Sequence, residues 1–188
     1  MNKKIDNDIF NRFPQLESGR LIFREFQFSD ANELFLLRSN DQVMCYMDTA
    51  KHQTVKDSED LIFHISESFK LQTGINWAII EKSSNNFIGY FGFWRIIRDH
   101  CRAEIGFALK PEYWNKGFMT ESLNTLIKFG FNDLKLHSIE ANVNPNNVNS
   151  KKLLKKVGFK QEAYFRENYL FNGKFIDSKI YVLLESDI

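Results

Sequence analysis

The sequence predicts an α+β domain, a central sheet flanked by helices, and three observations lead to that class. Two stretches with helical spacing precede a run of three strand-like segments between Asn76 and Leu109. A strand, a helix and a further strand then follow over residues 103–144, the order of a crossover connection. Lastly, 43% of the 188 residues are hydrophobic, enough apolar material for the core of one compact domain.

Residues 1–19 read as a poorly ordered lead-in, and a single domain is expected over 20–188. Arg20–Phe28 is the first strand, because Leu21, Phe23 and Phe26 alternate with polar neighbours. Ser29 offers an N-cap to a helix carrying Leu34 and Leu37 on one face. A second helix starts near Asp57-Ser58, with Leu61, Ile62, Ile65 and Phe69 at helical spacing. Strands follow at Trp77–Ile80, Phe87–Trp94 and Ala103–Leu109, separated by polar turns. Thr120–Leu134 returns to helical spacing through Leu123, Leu126, Ile127 and Phe131, and His137–Asn144 is again a strand. Asn149–Val157 forms a short amphipathic helix stopped by Gly158, with Phe159 anchoring the chain beyond it. Asn172-Gly173, between two apolar runs, marks a closing hairpin. The 19 Phe residues are scattered along the whole chain, which points to core filling instead of an aromatic ligand platform.

Charge and composition exclude several function classes. The formal charge of +1 arises from 25 basic and 24 acidic residues mixed along the chain, with no basic arm, so nucleic acid is disfavoured as a primary partner. Cys45 and Cys101 form no CxxC pair, and His52, His64, His100 and His137 show no metal-ligand spacing, so no metal site is expected. The opening residues Met1–Asp6 never develop the apolar run of a signal peptide, and no segment is apolar over enough residues to span a membrane. A cytoplasmic protein with free thiols is expected by elimination. The oligomeric state stays open, a homodimer being one option.

The chemistry is concentrated after the third central strand. Lys110–Glu121 is a turn rich in main-chain donors that leads directly into a helix, where unpaired N–H groups and the helix dipole both favour a phosphate, with Lys116 adding a point charge. The stretch Ala103–Leu123, A-E-I-G-F-A-L-K-P-E-Y-W-N-K-G-F-M-T-E-S-L, resembles the acetyl-CoA segment of the GNAT superfamily of N-acetyltransferases. The branch it resembles most is the ribosomal-protein alanine or serine N-acetyltransferases, over roughly residues 19–185. The opening strand Arg20-Leu21-Ile22-Phe23-Arg24 belongs to the match, as do Asn147-Val148-Asn149-Ser150, Val157-Gly158-Phe159 and the Asn172-Gly173 hairpin with Asp177 and Tyr181 after it.

The resemblance implies a mixed, mostly antiparallel sheet of about seven strands, splayed between those near 103–109 and 137–144 to admit pantetheine. Main-chain groups of Phe107, Ala108 and Leu109 would pair with the pantetheine amides like an added strand. Asn115, Lys116, Gly117, Phe118, Met119 and Thr120 would hold the pyrophosphate. The superfamily's Gln/Arg-x-x-Gly-x-Gly/Ala pattern maps onto Trp114–Met119, where only Gly117 matches and Met119 stands where a small residue is usual. Because the pyrophosphate is held mainly by main-chain donors, these departures weigh little. Asn147 matches the family Asn that reaches the pantetheine arm, and Asn142 projects from the neighbouring strand opposite Ile139, Ala141 and Val143. An Asx turn in Asn144–Asn147 accounts for Asn147 equally simply.

Acyl transfer to an amine needs a base near the acyl carbon, a donor at the developing oxyanion and an acid near sulfur. Glu104 is the candidate base, on the strand next to the expected acetyl position; the alternative is a plain surface carboxylate on an alternating strand. The Tyr that many GNAT enzymes place before the Gly-Phe stop is absent, with Leu153 and Leu154 in that stretch. In the branch resembled, the position of Ser150 lies close to the thioester sulfur, so its hydroxyl is the candidate partner of the thiolate; helix capping is the alternative. Trp94 and Tyr169 could line an acceptor pocket, but in so Phe-rich a chain core or hairpin packing is the favoured reading, and neither is taken as a site residue. The expected reaction is acetyl transfer from acetyl-CoA to a primary amine, with a protein N-terminus as first choice. A small amine such as a polyamine, amino acid or antibiotic is the alternative acceptor, and a non-catalytic coenzyme A-binding module the alternative function.

Overall fold

The computed structural model describes residues 4–188, and the first three residues of the expected lead-in lie outside the described residues. Eight strands form one sheet: β1 (Leu16–Glu17), β2 (Leu21–Arg24), β3 (Ile75–Glu81), β4 (Phe87–Ile97), β5 (Arg102–Leu109), β6 (Ser138–Val143), β7 (Lys160–Phe171) and β8 (Lys174–Leu184). They lie in the order β1-β2-β3-β4-β5-β6-β8-β7. Every neighbouring pair is antiparallel except β5 and β6. The sheet is thus the mixed, mostly antiparallel one expected, with one strand more because Leu16 and Glu17 pair with Phe23 and Ile22.

Alternating side chains supply both faces of the sheet with a core. Ile75, Trp77 and Ile79 of β3 point into one cluster, with Leu123, Leu126, Ile127, Phe129 and Phe131 of helix α4 (Phe118–Asn132), and with Leu154 of α5 (Val148–Lys156). Ala78 and Ile80 point into the other, beneath α1 (Ala31–Ser39) and α3 (Val55–Lys70), which supply Leu34, Leu37 and Ile62. A one-turn helix, α2 (Asp41–Met44), separates α1 from α3 and has too few residues for a periodic signal.

Several expectations need correcting: the first strand ends at Arg24, short of the expected Phe28, and the helix read as Thr120–Leu134 runs from Phe118 to Asn132. The described part of the lead-in is packed: Ile5 is buried, Phe13 meets Phe69 and Trp77 ring to ring, and the Trp77 indole donates to the Pro14 carbonyl at 2.7 Å. Ser29 does not cap α1. A short 3-10 turn over Phe28–Asp30 precedes that helix, and the Asp30 carboxylate closes the turn by accepting from the Gln27 main chain while pairing with Arg24. The second long helix also begins earlier than Asp57. Its capping box is Thr54 with Asp57, whose carboxylate accepts from the Thr54 N–H at 2.9 Å, an arrangement worth about 1 kcal/mol.

The parallel pairing of β5 with β6 covers only Arg102–Ser138, Ala103–Ile139 and Glu104–Glu140. Beyond Glu104 the strands diverge, so the β6 side of Ile105–Leu109 has no strand partner. On the other side of β5, the ladder with β4 slips between Phe93 and Arg95, leaving Trp94 as a bulge next to the divergence. At the far edge, Asn172 and Gly173 have φ of 49° and 73° and form the two-residue turn between β7 and β8.

Candidate active site

The divergence of β5 and β6 opens into a cavity of about 720 Å3. Ile105, Gly106 and Phe107 form one wall of the gap, and Ala141, Asn142 and Val143 the other. Asn147 and Ser150, at the start of α5, close one end, and residues of α1, α3 and the α2–α3 connection roof it. Gly92 makes room for one wall residue: a Cβ there would lie 1.7 Å from Oδ1 of Asn76, which is 9% exposed and lines the cavity.

Glu104 stands where the parallel pairing ends. Its side chain is 12% exposed, with Arg95 Nη1 3.7 Å from Oε2. Burial, reinforced by the Glu140 carboxylate opposite it in the ladder, pushes its pKa up to about 7, against the opposing pull of Arg95 and Arg102. Glu140 leans toward Arg102, 3.5 Å away, so the cross-strand carboxylate pair is only partly neutralised. A carboxyl group balanced near neutrality on a rigid strand, facing a cavity, has the properties of a general acid or base.

Across the cavity, the Asn147 side chain accepts from the Ser150 N–H at 3.0 Å and caps α5. Asn147 is therefore the capping residue and Ser150 is not, and the Ser150 hydroxyl has no partner among the described residues. Asn142 is exposed on β6, opposite Ile139, Ala141 and Val143, as its alternation predicts.

The loop from β5 to α4 lies outside the cavity lining. Asn115 and Gly117 have φ of 59° and 79°, left-handed values that Asn and Gly tolerate, and they turn the main chain so that α4 starts abruptly at Phe118. The first N–H groups of α4 have no intrahelical acceptor. Phe118 and Met119 are both buried in the α4-side core, so the bulk of Met119 points away from the loop and leaves the main chain at the helix start uncovered by these two side chains. Arg20 clamps this start. Its Nη1 donates to the Lys116 carbonyl at 3.0 Å, its Nε pairs with Glu121 at 2.7 Å, and its guanidinium lies 4.2 Å above the Phe118 ring. Trp114 fixes the other side by donating from Nε1 to the Leu109 carbonyl at 2.8 Å. Lys116 is exposed.

Residues 20–160 match the family described as the acetyltransferase (GNAT) domain. The chain is a member of the GNAT acetyltransferase family. It is 33% identical over 173 residues to the uncharacterised N-acetyltransferase YoaA of Bacillus subtilis, an alignment covering 92% of this chain and 98% of YoaA. It is 27% identical to the ribosomal protein uS5-alanine N-acetyltransferase of Escherichia coli over 124 residues, 65% of this chain and 64% of that enzyme. Among solved structures, spermidine N-acetyltransferase from Vibrio cholerae, in complex with CoA and spermine, superposes with a TM-score of 0.79 at 24% identity, covering 90% of this chain and 98% of that one. The GNAT reading of the sequence holds, as does the mixed sheet.

A GNAT acetyltransferase takes its acetyl group from acetyl-CoA, and two features of the structure suit that donor: an anion-ready helix start at α4, and a slot beside Ile105–Leu109 where strand pairing is left open. Of the residues singled out in the sequence, Glu104, Phe107, Asn142, Asn147 and Ser150 meet around the cavity. Ala108 and Leu109 pack into opposite cores instead, leaving only their main chain to serve, and Asn115–Thr120 form the separate loop. Sequence reasoning missed Arg38, Asp48, Asn76 and Tyr90 on the cavity wall. Nothing local marks them, because they are gathered from α1, the α2–α3 connection, β3 and β4. Trp94 and Tyr169, for which the sequence favoured ordinary packing, both line the cavity, each at a register shift in its strand.

Proposed function

We propose that this acetyltransferase transfers the acetyl group to a primary amine by direct attack within the cavity, with Glu104 as the base. The observation that carries the proposal is the Glu104 carboxyl, raised to about 7 at the point where β5 and β6 part. Acetyl-CoA supplies an activated acyl carbon. Glu104, directly or through a water, takes the proton that the amine nitrogen must lose as its bond to that carbon forms. The Ser150 hydroxyl, with no partner among the described residues, donates a hydrogen bond to the sulfur as the C–S bond breaks; the thiolate leaves and is protonated from solvent, Glu104 gives its proton back to solvent, and the products are an N-acetylated amine and free coenzyme A. Main chain of Phe107, Ala108 and Leu109 holds the pantetheine arm, with Asn142 and Asn147 contacting it from the β6 side. Main chain of Asn115–Thr120, with the Lys116 charge, receives the pyrophosphate. The protein acts in the cytoplasm.

The acceptor we favour is a protein N-terminal amine, supported by the relation to the uS5-alanine enzyme. A small amine is the second reading, supported by the fold shared with the spermidine enzyme. Thiol release from acetyl-CoA across a panel of peptides and small amines tests the proposal. Turnover that falls at least about 100-fold in Glu104→Gln, with coenzyme A binding retained, is the expected result. No turnover with any amine, or an unimpaired Glu104→Gln, contradicts it.

A further inference from the structure

The roof of the cavity holds a cation for which the reaction as proposed has no use. Arg38, on α1, is only 8% exposed and lines the cavity. Its Nη1 donates to the Tyr90 hydroxyl at 3.1 Å and touches the Met47 sulfur at 3.7 Å. Its Nε is buried without a partner, and Nη2 has none among the described residues. Among the described residues, no carboxylate pairs with its guanidinium. The cavity's own carboxylates are engaged elsewhere: Glu104 lies beside Arg95, Asp48 accepts from the Asn144 amide at 3.1 Å, and Asp177 accepts from the Tyr164 hydroxyl and the Glu167 N–H. The cavity lining that includes Arg38 also carries the apolar side chains of Phe26, Leu34, Leu61 and Ile65, alongside polar ones such as Asp48, Asn76 and Tyr90.

A guanidinium nine-tenths buried without a counter-ion is costly unless something completes it, and its planar fork matches a carboxylate better than any other common group. The charge is felt locally. His52, whose main chain donates to the Arg38 carbonyl, is held below its ordinary pKa first by burial and then by Arg38.

We infer that Arg38 is the acceptor-recognition residue, and that the acceptor carries a carboxylate in addition to the amine it offers to Glu104. The inference rests on the acyl-transfer reading for the identity of the acceptor. It places the amine at the Glu104 end of the cavity and the carboxylate under α1. A polyamine is disfavoured, because its second ammonium would meet a buried guanidinium that has no counter-ion among the described residues. The carboxylate has two sources: a free amino acid, or an acidic side chain close behind the N-terminus of a peptide.

Four acceptors separate these sources: an amino acid, its carboxamide, a short peptide with Glu as its second residue, and the same peptide with Gln. Spermidine is the control. Wild type is expected to favour the carboxylate member of one pair by about 10-fold or more in kcat/KM, the size of a charged hydrogen bond. Whichever pair discriminates identifies the source. In Arg38→Met the preference is expected to fall to within about 3-fold, through KM, while coenzyme A affinity stays unchanged. Arg38→Lys, which keeps the charge without the fork, retains part of the preference and serves if Arg38→Met does not fold. A merely structural Arg38 lowers both members of a pair equally, and that outcome overturns the inference, as does a wild-type preference for spermidine. The same panel scored by the rise in Tm of the coenzyme A complex separates the two failures. Absent turnover with Arg38-dependent discrimination in binding sinks the acetyl-transfer reading and leaves the Arg38 assignment standing.

Discussion

The loop beyond the C-terminal end of β5 and the cavity at its N-terminal end are built from different materials. Between β5 and α4 the side chains of Phe118 and Met119 turn into the core, and the helix start presents mainly main chain, set by left-handed Asn115 and Gly117 and clamped by Arg20, with the exposed Lys116 beside it. Around the cavity the opposite holds: side chains from α1, β3, β4, β5 and α5 line it together, and their charges and burial set the chemistry. A main-chain site tolerates much change in side chains, which explains how the loop departs from the superfamily pattern at every position but Gly117 and still forms an anion-ready helix start. A side-chain site does not share that tolerance, so substitutions at the two ends should separate cleanly into effects on turnover and effects on donor binding.

The largest separation is expected at Glu104. Glu104→Gln should lower kcat/KM by about 100- to 10,000-fold, with the coenzyme A Kd within about 3-fold of wild type. The same change has a stability signature. A carboxyl whose folded pKa of about 7 lies above its unfolded value holds its proton more tightly when folded, so stability falls as pH rises through this window. Glu104→Gln removes that fall, and its Tm relative to wild type should be higher at pH 8 than at pH 5, by a margin corresponding to about 1–3 kcal/mol.

The loop should behave in the reverse way. Gly117→Val puts a β-branched residue at φ of 79°, and should weaken coenzyme A binding about 10-fold and cost about 1–2 kcal/mol of stability while leaving any pH dependence of turnover in place. Ser150→Ala, at the cavity end, should reduce kcat about 5- to 10-fold with little change in either KM, the size of one lost hydrogen bond to a developing charge. The smallest effect is expected at exposed Lys116. Lys116→Ala should weaken coenzyme A binding about 2- to 3-fold at low salt, and the difference should vanish near 0.5 M salt, where exposed charges are screened. Should Lys116→Ala instead match Gly117→Val in salt-independent loss, the loop would be a side-chain site after all.

The same contrast explains what the sequence made legible. Features fixed by neighbours along the chain were readable: the Asn172-Gly173 turn, the Gly158 stop with φ of 100°, the turn-to-helix order after β5, though the helix starts at Phe118 and not Thr120, and the alternation that exposes Asn142. The Thr54–Asp57 capping box was also local, and its T-x-x-D spacing was a signal available to find it. Ser29 misled because Asp30, one residue later, forms the stronger network with Arg24 and the Gln27 N–H. The lead-in was misread because its ordering comes from Phe69 and Trp77, far along the chain. At the cavity, Glu104 and Ser150 were reachable through resemblance, but their surroundings were not. Arg38 meets Tyr90 across 52 positions, Asn144 meets Asp48 across 96, and the Trp94 bulge depends on a slip against β5. No pattern along a single segment encodes such meetings.

The pH profile of kcat/KM at saturating acetyl-CoA, compared in wild type, Glu140→Gln and Glu104→Gln, tests the role of Glu104 most directly. Wild type should show a rising limb with an apparent pKa near 7. In Glu140→Gln, where the like charge opposite Glu104 is gone, that limb should move to lower pH, and in Glu104→Gln it should disappear. A limb that stays at the same pH in all three proteins would belong to the acceptor amine or to another group, and would contradict the assignment of Glu104 as the base.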